Sequence, residues 1–394
     1  MVKFRGGHIP ELDGIRGVAL VMLVAFHYFY LPAWDKFEPG SVLWRLVHAV
    51  ELSWSCILLF FVLSGFLIGG LLMDHRAAPN FFSAFYIRRV CRIFPIYFLW
   101  LFLFCIAINL DVTRDPAQPI SWLFRDPLPL WGYFTYTQNF VMVAHHSFGP
   151  HWIAISWSLA IEEQFYMLLP LLVYFLPHKK LPYVMLPLIL IGPIFRGVFM
   201  YDESPRWMAA YLLAPGRFDA LFLGVLCAWM VRDERWYRIL TDRQTLIYAL
   251  AGLMFAGVLV IQHYGGNAWS SGMTTFGYAL FAVFYACILL IAVGHKPGLM
   301  GKVLRLPVLR KMGVLSYCVY IIHQGVDGMV HALILGQEPK LQNLTDLAVA
   351  AVALTVTFVL ASLSWKYFEK PIINLGYSYR YRAPPARAAE NPLT

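Results

Sequence analysis

The sequence predicts an all-α, polytopic membrane bundle of about ten helices with both termini cytoplasmic. Three observations carry that expectation. The 394 residues are 60% hydrophobic and only 13% charged, whereas soluble domains carry about 25% charged residues. Apolar runs near 20 residues long recur from end to end, the length that a helix needs to cross a bilayer. Lysine and arginine gather at alternate ends of these runs, as the positive-inside rule requires.

Ten spans follow, at about 14–31, 52–73, 93–110, 156–177, 181–200, 209–231, 245–263, 274–294, 313–335 and 346–365. Leu52 to Met73 has no charge. Gln244 to His295 has no Asp, Glu, Lys or Arg either, and HYGGNAWSSGM divides that run into two helices. With the N-terminus inside, 23 of the 31 basic residues fall on inside segments. The net charge of +9 is then topology, and nucleic acid is a poor fit as a partner. Lys3 and Arg5 precede an apolar run without a small-residue cleavage site, which reads as a retained signal-anchor. Six cysteines stand singly in apolar runs, with no CxxC, so neither a disulfide framework nor a zinc site is expected. HHSFGPH (145–151) lacks metal-ligand spacing, and no metal is expected. The long outer segment 111–155 is rich in Trp, Tyr, Pro and His and reads as a lid or an interfacial platform. Residues 1–376 form the membrane domain, and 377–394 a disordered cytoplasmic tail.

Some polar residues cannot be kept out of the membrane. Arg16 and His27 are eleven residues apart in the first span, which places them on one helical face about 16 Å apart along the axis. A full fourth span must include Glu162 and Glu163, and a full sixth span Arg217 and Asp219, because the flanking apolar runs are too short without them. His323 and Asp327 lie in the ninth. Counting residues from the helix ends puts His27 and Glu162 at one depth, about 10 Å below the outer surface. There the glutamate would orient the imidazole as a general base or, alternatively, only fix helix packing. Arg88, Arg89 and Arg92 stand at the inner mouth of the third span near Arg16. They suit a phosphorylated ligand, although from charge alone positive-inside anchoring is the better reading. Ser64, Gly65, Gly69 and Gly70 remove bulk from the second span, for close helix approach or for an acyl slot.

LDGIRG followed by Arg16-x10-His27, FFVLSGFLIGG, RRVCRIFPIY, SWSLAIEEQFY, GRFDALFLG, MGVLSYCVYIIHQ and SWKYFEKPI, in this order over residues 9 to 372, resemble the membrane-bound acyltransferase-3 family. One departure is IIHQGVDG, where many members have Trp-Pro soon after the histidine. The resemblance implies a stand-alone integral membrane O-acyltransferase of the bacterial cytoplasmic membrane. It would move an acyl group, acetyl above all, from cytoplasmic acyl-CoA to a hydroxyl of an extracytoplasmic acceptor such as a surface glycan. His27 would be the catalytic base that activates the acceptor hydroxyl, or a transient acyl carrier, with Glu162 or Glu163 beside it. Arg16, Arg88, Arg89 and Arg92 would bind the coenzyme A phosphates, and Ser64, Arg217 and Asp219 the substrates. Acyl-CoA would be a co-substrate, with no tightly bound cofactor. The reading from a different class is a transporter or lipid-linked glycan flippase without acyl chemistry.

Overall fold

A computed structural model describes residues 9–110, 115, 117–200, 206–264, 267–294 and 298–383. Lys3, Arg5 and residues 384–394 of the expected tail lie outside them. The described residues are helical, with no strand. The long helices are α1 (Pro10–Val24, continued by a π-helical turn over Ala25–Tyr30), α2 (Cys56–His75), α3 (Phe81–Ala107), α4 (Trp157–Phe175), α5 (Leu181–Met200), α6 (Phe218–Met230), α7 (Gln244–His263), α8 (Tyr278–Val293), α9 (Pro307–Leu335) and α10 (Leu344–Ser364). Two further π-helical turns, Met273–Gly277 and Trp365–Glu369, precede α8 and a short α11 (Lys370–Ser378).

Among the described residues, eight helices are long and apolar enough to cross a membrane, and nine if Ala214–Met230 and Glu234–Asp242, bent by 98°, count as one broken span. The helix that separates this number from the expected ten is α4. Its 19 residues include Glu162, Glu163 and Gln164, which dilute its apolar character. The third span also starts earlier than its apolar run suggested. α3 begins at Phe81, so Arg88, Arg89 and Arg92 lie inside the helix rather than at its mouth.

Two close helix crossings organise the bundle. On α2 a Cβ at Gly65 would stand 2.0 Å from Leu221 O, and on α6 one at Gly224 would stand 2.1 Å from Val62 O. These glycines let two backbones touch, as small residues do between membrane helices. The Gly65 and Gly69 positions of the small-residue stripe of α2 are therefore filled by α6, with Val225 against Gly69, while Gly70 meets the Arg232 side chain and Ser64 the Tyr166 hydroxyl. The second crossing joins α1 to α9, where a Cβ at Gly313 would meet Asp13 O at 2.0 Å.

The described part of the 111–155 segment is partly buried in the bundle, with Trp131, Phe134 and Phe140 left exposed. It folds as short helices, Leu130–Phe134 and Gln138–His145 among them. Trp100 of α3 donates its indole N–H to Trp152 O at 3.1 Å and stacks on that ring at 4.5 Å. Tyr97 OH donates to Tyr133 O at 2.7 Å. Gln138 and Asn139 are fully buried. Asn139 exchanges hydrogen bonds with Gln164 of α4, whose amide also donates to Tyr136 O. The segment thus holds the head of α4 beside Tyr97 and Trp100, while α3 continues to Ala107. α4 starts sunk below the end of α3.

The last described residues, up to 383, are also held. Asn80 donates to Arg380 O and accepts from Arg382 N. A Cβ at Gly376 would lie 2.7 Å from Cys91 Cβ. Residues 377–383, expected as the start of a disordered tail, are placed across the start of α3.

The α2–α6 contact makes a prediction. Gly224→Val forces carbon into Val62 O, and such overpacking costs about 1–3 kcal/mol or more. The variant should lose its monodisperse gel-filtration peak in detergent and melt well below the wild type. An unchanged melting temperature would remove this crossing from the frame of the fold.

Candidate functional site

His27 sits in the π-helical turn that ends α1. Such turns recur at functional positions because the widened turn re-aims a side chain. Its Nδ1 lies 2.9 Å from Leu23 O. A carbonyl only accepts, so Nδ1 donates and Nε2 of the neutral ring carries the lone pair. The ring meets that of His323 edge to face, with centroids 4.8 Å apart. His323 on α9 is fully buried and is oriented in the same way, its Nδ1 3.1 Å from Val319 O and 2.8 Å from Tyr320 O. Its Nε2 has no hydrogen-bond partner. Two imidazoles with free Nε2 lone pairs therefore stand together where α1 crosses α9.

Glu162 is elsewhere. Tyr166, one turn along α4, donates to Glu162 Oε2 at 3.2 Å, and its hydroxyl lies 2.6 Å from Ser64 Oγ on α2. Arg89 and Arg16 are within electrostatic reach of Glu162. Arg16 in turn faces Arg92, Arg89 and Tyr166 as well as Asp13, 3.4 Å away. Glu163 is within electrostatic reach of Glu162, Arg89, Tyr97, Tyr136 and Tyr317. Arg92 faces Glu369 of the terminal SWKYFEKPI motif. Among the described residues no hydrogen bond, ion pair or ring contact joins His27 to Glu162 or Glu163. The depth count placed Glu162 beside His27 because it started α4 at the membrane surface. The sunken head of α4 carries both glutamates down to the arginines.

Tyr320 bridges the two groups. Its hydroxyl bonds to Ser158 on α4 and donates to Ile155 O at 3.1 Å. Its ring lies 6.4 Å from that of His323, and Glu162 is within its electrostatic reach. Polar side chains therefore lie in series between Arg16, Arg89 and Arg92 at one end and His323 and His27 at the other, with Glu162 and Tyr320 linked by electrostatic reach and Tyr320 and His323 by a ring contact.

Three other candidates are committed to other contacts. Arg88 faces away from this series. Its Nε donates to Tyr379 O at 3.1 Å, and its guanidinium lies over the rings of Tyr377 and Tyr381 at 5.2 and 4.8 Å. One step along a helix turns a side chain by about 100°, which separates Arg88 from Arg89. Asp219 accepts from Arg196 Nη2 at 2.6 Å, with Arg196 fully buried. Arg196 also donates to Thr274 O and Gly216 O. Arg217 donates twice to Tyr211 O and is enclosed by the rings of Tyr211, Tyr278 and Trp157 at 4.5, 4.8 and 5.6 Å, although its Nη1, like Nε of Arg89, has no hydrogen-bond partner. Arg196 is a lone charge inside an apolar run, a signal in the sequence like that of Arg217. Tyr166 and Tyr320 carried no such signal, because aromatic residues are common in membrane helices.

The buried Arg196–Asp219 pair should behave as a unit. Removing one partner strands the other charge and costs about 3–5 kcal/mol, whereas replacing both with apolar groups restores much of the loss. Arg196→Leu should fail to yield stable protein in detergent, and Arg196→Leu with Asp219→Leu should recover part of the melting temperature. A double variant as unstable as the single one would assign the defect to the lost Gly216 and Thr274 contacts instead.

An acyltransferase domain model, acyltransferase-3, matches residues 9–365. Peptidoglycan O-acetyltransferase OatA of Listeria monocytogenes is 24% identical over 390 residues, which cover 95% of this chain and 57% of that protein. O-acetyltransferase OatA of Staphylococcus aureus is 24% identical over 388 residues, covering 94% of this chain and 58% of that protein. The chain thus spans less than two thirds of the length of these curated relatives. No solved structure matches it.

Proposed function

Because this multi-pass membrane chain belongs to the acyltransferase-3 family, we propose that it is an O-acetyltransferase that moves acetyl from acyl-CoA to a hydroxyl of a glycan. The observation that carries this reading is the series of polar side chains, with a lone-pair imidazole at one end and an arginine cluster at the other. His27 Nε2 acts as the general base that takes the acceptor proton, a role typically worth 10²–10⁴-fold in rate. Nδ1, tied to Leu23 O, keeps the ring in that tautomer. Arg89 and Arg92, with Arg16, bind the donor phosphates. The unpartnered Nε of Arg89 supports this, since guanidinium groups grip phosphate through paired N–H donors. Glu162, Tyr166 and Ser64 line the way between. The eleven residues from Arg16 to His27 span about 16 Å, a reach that suits an extended pantetheine arm. The arginine end is read as cytoplasmic and the membrane as a bacterial cytoplasmic membrane, with the acceptor arriving from the opposite side. The names of the Listeria and Staphylococcus relatives support acetyl as the group and a cell-wall glycan as the acceptor class.

The reading is tested in proteoliposomes with labelled acetyl-CoA and glycan fragments, following both labelled ester and free thiol. The wild type should produce the two in equal amounts. His27→Ala should abolish both while leaving insertion and melting unchanged, and normal turnover in that variant would sink the assignment. A wild type that moves glycan across the bilayer without releasing thiol would point to the transporter class.

The arginines should separate. Arg89→Ala and Arg92→Ala should raise the donor KM by roughly tenfold or more, in line with loss of about 1.5–3 kcal/mol per charged hydrogen bond. Arg88→Ala, whose guanidinium is held by the C-terminal tyrosines, should change it less than about threefold, because that contact is not made to the donor. Equal effects at all three positions would return the cluster to general positive charge.

A further inference from the structure

The polar residues do not stop at His323. Asp327 and His331 follow at the next two four-residue steps of α9, so the three share one helical face and span about 12 Å. All three are buried, at 0%, 6% and 1% exposure. His331 Nδ1 lies 3.0 Å from Asp327 O and 3.1 Å from Asp327 Oδ1. From α1, Tyr28 OH donates to His323 O at 3.0 Å, with Asp327 within electrostatic reach. From α10, Thr357 Oγ1 lies 3.2 Å from that hydroxyl. Asp346, in the first turn of α10, faces His331. It accepts from Gln337 Nε2 at 3.0 Å and from Gln342 N at 2.9 Å. Leu341 N donates to Pro32 O, which ties this corner to the end of α1.

A file of buried titratable groups therefore runs from His27 to the end of the bundle where α1 and α9 finish and α10 begins. The ionisable groups facing it are His27 and Tyr28 from α1, Tyr320 from α9 itself and Asp346 from α10. Helix packing alone does not account for it. Apolar residues would pack α9 without leaving His323 Nε2 and His331 Nε2 buried and unpartnered, which costs about 1–3 kcal/mol for each such group. A line of buried Asp and His inside a membrane bundle is the composition of a proton path. It also occupies the stretch where IIHQGVDG departs from the family pattern.

The geometry points to a proton exit: His323, Asp327 and His331 are positioning residues that carry the acceptor's proton from His27 to the aqueous face beside Asp346. The inference rests on the acyl-transfer reading above. In the step itself the acceptor O–H and the thioester C–S bonds break and the ester C–O bond forms. His27 Nε2 takes the hydroxyl proton and passes it along the file. The departing thiolate takes a proton from water at the arginine end, which leaves hydroxide there. One proton leaves at one face and one hydroxide is left at the other, so atoms balance without another reactant and each turnover carries one positive charge across the bundle.

The test uses Asp327→Asn and His331→Gln in the full chain. Each should lower kcat roughly tenfold with the donor KM unchanged, raise the solvent deuterium isotope effect on kcat, and melt near the wild-type temperature. Imidazole added to the medium should restore kcat in His331→Gln. Unchanged kcat in both variants would overturn the proposal, as would a loss that imidazole does not restore and that follows the melting temperature. If Asp327→Asn does not assemble, His331→Gln decides alone. A second readout needs no turnover. Carbethoxylation of His27 by diethylpyrocarbonate, followed by peptide mass spectrometry, should change at least threefold in rate in His323→Gln, and an unchanged rate would break the link from His27 to the file. A wild type that carbethoxylates in this coupled manner yet never releases thiol would end the acyl-transfer reading and leave the path standing.

Discussion

Lipid offers no hydrogen-bond partner, so each charged side chain carried into the bundle has to be matched by other side chains and by free backbone carbonyls. Most of the internal architecture follows from how this is met. Arg196 joins three elements at once, through Asp219, Gly216 O and Thr274 O. Arg217 spends two of its donors on Tyr211 O and spreads its charge over three aromatic faces. At the opposite corner Arg305 meets the buried Glu11 at 2.6 Å. These pairs fix which helices are neighbours. Buried glycines then set how closely they approach.

The arginine cluster is a different case. Arg16, Arg89 and Arg92 face the carboxylates Asp13, Glu162, Glu163 and Glu369, but the matching is looser than at Arg196. Asp13 stands 3.4 Å from Arg16, and Arg89 Nε and Glu163 Oε1 are left without partners. A group whose hydrogen-bonding capacity is already consumed has little to offer a ligand. Measured in this way, Asp219 belongs to the scaffold, and Arg89 retains capacity that a phosphate fits.

Much of this was legible in the sequence. The helices appear where apolar runs of membrane-spanning length are interrupted by polar turns. The buried charges at 162, 163, 217 and 219 were forced by the shortness of the runs beside them. What counting could not supply was the vertical offset between helices. The residues 111–155 lack a clear apolar period, so nothing local announces that Trp152 stacks on Trp100, about two helical turns before the end of α3. That tertiary contact decides whether Glu162 meets His27 or Arg89. The same limit explains the tail. For its described part, residues 377–383, polar composition suggests disorder, but Arg88 offers Tyr377 and Tyr381 a cation to stack on, an attraction invisible to composition. His323 was noticed as a buried histidine. Its pairing with His27 needed the α1–α9 crossing, which local periodicity does not encode.

The π-helical turn at Ala25–Tyr30 has a consequence for how the chain tolerates changes of length. Its Leu31 N to Phe26 O bond closes a loop one residue wider than an ordinary helical turn, so the end of α1 holds a residue that an α-helix has no room for. Deleting one position between Val24 and His27 would let the helix relax to regular geometry with its hydrophobic length nearly intact. His27 would swing by about 100° around the axis, away from His323, with its chemistry untouched. At this turn the count of residues, as much as their identity, sets where the imidazole points.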